Sequence, residues 1–186
     1  PARKLVDICR EIPEKADILF SLNESRLEIR SGRFRSTLST LPAVDFPSVD
    51  QSSSEMTAEL DSKSFKKLLD QTAFAMAQQD VRYFLNGMLI EVGNNQVRAV
   101  ATDGHRLAMS DLVQEGIDGP GKQVIVPRKG VIEIQRLLQE VEHNVVVSIG
   151  SSHLCVISAM FTLTTKLVDG KFPDYDRVIP KDGDKV

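Results

Sequence analysis

Two stretches of this chain carry the same pattern. Pro1-Ala2-Arg3-Lys4-Leu5-Val6 returns as Val126-Pro127-Arg128-Lys129-Gly130-Val131. Ser21-Leu22, Leu27, Ile29, Phe34 and Thr37 return as Ser148-Ile149, Leu154, Val156, Phe161 and Thr164, and Phe46-Pro47 returns as Phe172-Pro173. The order is kept while the offset moves only between 125 and 127 positions. Chance supplies one such dipeptide, not an ordered series in the same hydrophobic phase, so the chain reads as a tandem domain repeat. Residues 1–41 are then the second half of one domain, 42–53 a linker of Pro and polar residues, and 54–170 a complete second domain. With no initiator Met and a start in mid-domain, the chain reads as a piece of a longer protein.

The 186 residues are 41% apolar and 26% charged, which places the chain among folded globular proteins and excludes disordered and fibrous classes. No apolar run approaches the roughly 18 residues of a membrane helix, and the opening Pro-Ala-Arg-Lys-Leu-Val-Asp is too charged for a signal segment. Cys9 and Cys155 belong to no CxxC pair or Cys/His cluster with zinc spacing and read as reduced thiols of a cytosolic protein. The net charge of −3 argues against a nucleic-acid partner unless the charges are unevenly distributed. Aromatic residues at 5%, with no Trp, argue against a base-stacking platform for single strands.

The periodicities predict three helices. Over 62–76, Phe65, Leu68, Leu69, Thr72, Ala73 and Met76 share one face, Lys63, Lys66 and Lys67 lie on another, and Asp61 or Ser62 is the N-cap. Over 128–140, Val131, Ile132, Leu137 and Leu138 point inward, with Pro127 at the start. Residues 3–12 give a shorter copy. Strands are expected at 16–22, 25–31, 33–40, 55–60, 82–92, 95–101, 106–112, 122–126, 144–149, 153–158 and 161–167, with hairpin turns at Asn23-Glu24, Gly93-Asn94-Asn95 and Gly150-Ser151. One helix followed by a meander, repeated, is an α+β fold of tandem repeat domains with helices on one side of antiparallel β-sheets.

Three groups of residues are candidates for function. Thr102-Asp103-Gly104-His105-Arg106 holds an Asp and a His two apart, readable as an acid/base pair. No GxSxG, reactive Cys or Gly-rich phosphate loop accompanies it, so a polar turn ending a strand is the stronger reading. The basic residues that open the helices, Arg3-Lys4, Lys63, Lys66, Lys67 and Arg128-Lys129, form either a solvated face or a phosphate-facing one. Leu85, Leu107, Pro173 and Val178 stand near turns and are either core or the wall of a groove.

The stretches Gln79-Asp80-Val81-Arg82-Tyr83-Phe84-Leu85-Asn86-Gly87-Met88, Ala101-Thr102-Asp103-Gly104-His105-Arg106-Leu107-Ala108, Val124-Ile125-Val126-Pro127-Arg128-Lys129-Gly130 and Lys166-Leu167-Val168-Asp169-Gly170-Lys171-Phe172-Pro173-Asp174-Tyr175 resemble the bacterial DNA polymerase III β-subunit family, the sliding clamps. The resemblance covers essentially the whole chain and implies the DNA-clamp fold, with 171–186 as the linker and start of a third domain. It implies a non-enzymatic processivity factor in the bacterial cytoplasm. Its partners would be double-stranded DNA, encircled without regard to sequence, and polymerase subunits, clamp loader and repair proteins that dock through short peptides. No cofactor or metal is implied. The peptide groove would use Leu85, Thr102, Gly104, His105, Arg106, Leu107, Pro173, Arg177 and Val178, completed by residues beyond this chain. The DNA-facing positions would be Lys63, Lys66, Lys67, Gln79, Arg82, Tyr83, Arg128 and Lys129. Phe84 departs from the Tyr frequent in the family. Lys4, Ile8, Ile12, Arg26, Arg33, Arg35 and Leu38 would meet an acidic third-domain face in a head-to-tail homodimer, so these 186 residues alone are not expected to close a ring. A repeat-built peptide adaptor that never meets DNA is the alternative reading.

Overall fold

The repeat returns as a repeat of strand register. In the computed structural model, which describes residues 2–46, 54–117 and 121–179, helix α1 (Ala2–Glu11) precedes a meander of β1 (Leu19–Asn23), β2 (Arg26–Ser31) and β3 (Phe34–Ser39). Leu22 faces Leu27, and Leu27 faces Leu38. Further along, α3 (Arg128–Leu138) precedes β9 (Val145–Ile149), β10 (His153–Ile157) and β11 (Thr162–Lys166), where Ile149 faces Leu154 and Leu154 faces Thr165. Every one of these pairs is the earlier pair moved by 127 positions. Register is pinned where one face is buried, because a slip of one residue would turn the apolar set outward.

The chain divides into two units, Pro1–Val49 and Asp50–Val186. The second is built from two like halves. One half runs β4 (Met56–Leu60), α2 (Ser62–Asp70), β5 (Gly87–Gly93), β6 (Gln96–Thr102) and β7 (Leu107–Val113); the other runs β8 (Lys122–Pro127), α3, β9, β10 and β11. Each half gives its first strand to the other's sheet, so the sheets are ordered β11-β10-β9-β4 and β7-β6-β5-β8, all antiparallel. The exchange couples the halves, since neither meander is complete without the other's strand. Helices α2 and α3 pack on each other and over the sheets, closing a core that includes Leu60, Phe65, Leu69, Met88, Ile90, Ile134, Leu138, Val147 and Leu154. In the first unit Phe20 and Leu22 are 48% and 66% exposed, whereas their counterparts Val147 and Ile149 are 2% and 1% exposed. The difference is made by β4, paired along β9, and by the helical half beneath it.

The expected elements need three corrections. The helix expected over 62–76 stops at Asp70, with Gln71 as its C-cap. Thr72 is buried, and its hydroxyl donates back to the carbonyls of Leu68 and Leu69 at 3.1 and 3.3 Å. Such back-bonding competes with continued helix, and a 3₁₀ turn at Ala73–Ala75 then carries Met76 into the core. The strand expected over 82–92 begins only at Gly87, because the preceding residues form a closed loop. Asp80 N–H donates to Asn86 Oδ1 (2.9 Å), Asn86 Nδ2 donates to the Asp80 carbonyl (2.8 Å), and Tyr83–Leu85 make a 3₁₀ turn between them. On α3 it is Ile134, not Ile132, that is buried; Ile132 is 44% exposed. Asp61 is the N-cap of α2, its Oδ2 accepting from the Ser64 N–H at 2.8 Å. At the β5–β6 hairpin Asn94 and Asn95 have φ of 52° and 58°, the paired left-handed conformations of a type I′ turn.

Among the described residues no helix is long and apolar enough to cross a membrane, and Cys9 and Cys155 are free.

Candidate functional site

A second apolar cluster lies on the face of the β7-β6-β5-β8 sheet opposite α2 and α3. Leu85, Leu89, Val100 and Ile125 form its floor, and Phe172 and Tyr175, from the segment after β11, lie across them. Between this segment and the β6–β7 turn opens a cleft of about 470 Å³, lined by Leu85, Thr102, Gly104, His105, Arg106, Leu107, Pro173 and Val178, and also by Arg82, Phe84, Asp174 and Tyr175. Thus eight of the nine expected groove residues line one cavity. Arg177 does not; its guanidinium turns to Asp174 (2.7 Å) and its side chain is 84% exposed.

The β6–β7 turn forms the polar rim, and its shape follows from its own side chains. Thr102 Oγ1 donates to the Arg106 carbonyl (2.7 Å) and accepts from the Gly104 N–H (3.1 Å). Asp103 Oδ1 accepts from the N–H groups of His105 and Arg106, both at 3.0 Å, and its Oδ2 from Arg106 Nε at 3.0 Å. Those backbone N–H groups, more than the Arg106 charge, hold the Asp103 carboxyl below its ordinary range. Asp103 and His105 therefore make no acid/base dyad. The carboxylate is committed to closing the turn, and no hydrogen bond joins it to the His105 ring among the described residues. Gly104 sits at φ +87°, a left-handed conformation that favours glycine, and the Arg82 guanidinium packs over its bare Cα. Arg106 is held from its other side by Phe74, whose ring centroid is 5.7 Å from the guanidinium carbon.

Arg82 ties the neighbouring loop to this rim. It donates from Nε and Nη2 to Asp80 (3.0 and 2.8 Å), and from Nη2 to the Asp103 carbonyl (3.2 Å). The Arg82 side chain, then its backbone N–H, lower the Asp80 carboxyl from its ordinary 3.8 to about 2. A depressed carboxyl pKa favours the folded loop above the ordinary value, and that contribution is lost as pH falls from about 4 through about 2. In an NMR titration the Asp80 carboxyl is expected to titrate near 2, and to move up toward its ordinary value in Arg82→Ala without reaching it, because the backbone N–H of residue 82 still donates to Asp80. An unshifted midpoint in the wild type would show that Arg82 pairs elsewhere.

The basic residues divide into groups. Lys63 and Lys67 are exposed one turn apart on α2, whereas Lys66 pairs with Asp70 at 2.6 Å. Asp70 also accepts from Gln135 of α3 (2.8 Å), so Asp70 bridges the two helices while Lys66 pairs with it within α2. Gln79, Arg128 and Lys129 line a shallower cavity with Ala77, Gln78, Asn86 and Ile132; Arg128 Nη1 donates to the Met76 carbonyl (3.3 Å), while Lys129 is exposed. Tyr83 is 58% exposed and meets Phe84 edge-on, 5.8 Å between centroids. Arg82, expected with the DNA-facing set, belongs by position to the wall of the cleft. In the first unit Lys4 and Ile8 lie on α1, Ile12 follows it, Arg26 opens β2, Arg33 occupies the β2–β3 turn, and Arg35 and Leu38 lie on β3. The four cations are exposed and the three apolar residues half-buried.

Residues 59–174 match the central domain of the DNA polymerase III beta subunit, and residues 1–50 match its N-terminal domain. The chain belongs to the DNA polymerase III β-subunit family. The beta sliding clamp of Pseudomonas putida is 51% identical over 186 residues, which is all of this chain and 51% of that protein. That of Escherichia coli K12 is 51% identical over 185 residues, again all of this chain and 50% of that protein. A crystal structure of the Pseudomonas aeruginosa DNA polymerase III subunit beta superposes with a TM-score of 0.94 at 50% identity, covering 99% of this chain and 50% of that one. The chain spans about half the length of these β-subunit relatives.

Sequence reasoning left Phe84, Asp174 and Tyr175 out of the β-subunit cleft. Phe84 adjoins Leu85 in one 3₁₀ turn, and Tyr175 closes the Phe172-Pro173-Asp174-Tyr175 stretch, so adjacency to chosen residues was the available signal. Nothing in the sequence separates Lys66 from Lys63 and Lys67, because its partner Asp70 is one polar helix residue among several.

Proposed function

We propose that this chain is part of a DNA sliding clamp, a non-enzymatic processivity factor that encircles duplex DNA and tethers polymerase, clamp-loader and repair subunits through a short-peptide groove. In this reading 54–170 is a complete clamp domain, 1–41 the second half of the one before it, and 171–186 leads to the next. The full-length protein is a head-to-tail homodimer in the bacterial cytoplasm, with the basic and apolar residues of the first unit at the dimer contact. The observation that most supports it is the cleft: an apolar floor of Leu85 and Leu107, faced by Pro173 and Val178 and rimmed by His105 and Arg106. Such a surface suits apolar peptide anchors in its floor and polar backbone at its rim. Duplex contact falls to Lys63, Lys67, Gln79, Tyr83, Arg128 and Lys129. Enclosure needs only weak phosphate contacts, which is why an acidic chain serves and why sliding is allowed.

The test is topological. Full-length protein placed on circular duplex should stay bound at salt that strips ordinary phosphate contacts, and one double-strand cut should release it. Retention on the cut, open-ended DNA at that salt would favour groove-style DNA binding, and no retention on circles would favour the peptide-adaptor reading.

A further inference from the structure

The outer face of the β7-β6-β5-β8 sheet carries one polar row directly beside the apolar floor of the cleft. Gln123 faces Glu91, Glu91 faces Arg98, and Arg98 faces Asp111, so the row crosses all four strands in register. Gln123 Nε2 donates to Glu91 Oε1, and Arg98 holds Asp111 with two bonds, Nε to Oδ1 at 2.6 Å and Nη2 to Oδ2 at 3.1 Å. The centre of the row receives Tyr175. Its hydroxyl donates to Glu91 Oε2 at 2.5 Å and accepts from Arg98 Nη1 at 3.3 Å, while its ring, 7% exposed, rests on the apolar cluster. Burial, then the hydrogen bond to Glu91, raises the phenol above its ordinary range.

Tyr175 opens a 3₁₀ turn, Tyr175–Arg177, whose Val178 N–H donates back to the Tyr175 carbonyl at 3.1 Å. Pro173 and Val178, the far wall of the cleft, thus flank Tyr175, the one residue of this segment, among those described, that hydrogen-bonds to the polar row. We infer that Tyr175 is a positioning residue, latched by Glu91 and Arg98, which sets the spacing between the two walls of the peptide cleft without itself supplying a peptide anchor. The physical reason is that a wall made of an irregular segment has no ladder of its own. The buried rings of Phe172 and Tyr175 fix its depth, and one hydroxyl on a row that crosses four strands in register fixes its position along the sheet.

This rests on the groove reading, and the experiment separates the two. In the full-length protein, binding of a synthetic peptide with a Gln-Leu and Leu-Phe pattern is measured by calorimetry for wild type, Tyr175→Phe, Glu91→Ala, Glu91→Gln, the Tyr175→Phe/Glu91→Ala pair and Leu107→Lys. Tyr175→Phe keeps the ring and is expected to weaken binding about tenfold with little change in Tm. Glu91→Ala should match it and the pair should add no further loss, whereas Glu91→Gln, which keeps an accepting oxygen, should stay within about threefold of wild type. Amide exchange at Val178 should accelerate in Tyr175→Phe while core amides of β5 and β6 do not change. If Leu107→Lys abolishes binding and Tyr175→Phe leaves affinity and Val178 exchange unchanged, the latch is refuted and the groove stands. If Leu107→Lys binds normally, the groove reading itself fails. Losses in Tyr175→Phe and Glu91→Ala that simply add would also overturn the latch, since they would then act through separate routes.

Discussion

Leu107→Lys in the full-length protein is expected to lower the affinity for a Leu-Phe-anchored peptide by at least a hundredfold. Leu107 opens β7, packs on the Leu85–Val100–Phe172 cluster and presents its remaining surface to the cleft. Burying an apolar anchor there gains roughly 1.5 to 3 kcal/mol. A lysine in the same place removes the apolar contact and makes the peptide desolvate an unpaired ammonium, which costs more than the contact was worth. One control keeps the result specific. Asp176→Ala alters an exposed residue that does not line the cleft, so it should not shift affinity more than about twofold. Calorimetric titration decides the matter, and undiminished affinity in Leu107→Lys would move the docking site elsewhere.

Lys63→Glu combined with Lys67→Glu should weaken DNA retention by the full-length protein without changing peptide affinity. Both lysines are exposed on one face of α2, which leaves their charges available to phosphate. Each phosphate contact accounts for a salt slope of about 0.9, so losing two should lower the slope by about two units. Lys66→Glu should add less DNA effect than either, because its ammonium is already paired with Asp70. It should instead destabilise the helix by a few tenths of a kcal/mol, through a like-charge pair at i, i+4. The check is binding to duplex DNA over a range of salt, run beside the peptide titration. A slope unchanged in the double variant would place the DNA contacts on other residues.

What was legible in the chain alone was whatever depends on local pattern and repetition. Turn residues between short runs placed the strands. The offset of 125 to 127 positions announced that β9–β11 would copy the pairing of β1–β3. Asp61 as a cap and Asn94-Asn95 as a turn follow from local chemistry, a short carboxylate that accepts from the Ser64 N–H and two residues that tolerate positive φ. Most cleft residues came from the resemblance rather than from pattern, since an apolar residue facing a groove and one facing a core look alike in sequence.

Tertiary structure alone decided three things. The helix predicted through Met76 stops at Asp70, because Thr72 is buried and satisfies its hydroxyl on the preceding turn. Lys66 and Asp103 look free to act in sequence but are committed, one to Asp70 and the other to the N–H groups of its own turn. The exchange of β4 and β8 between halves, and the return of Phe172 and Tyr175 across the outer sheet, join residues as far apart as Glu91 and Tyr175. Such contacts depend on how apolar faces find one another after local structure has formed, and an exposed charge and a paired one have the same letter until they do.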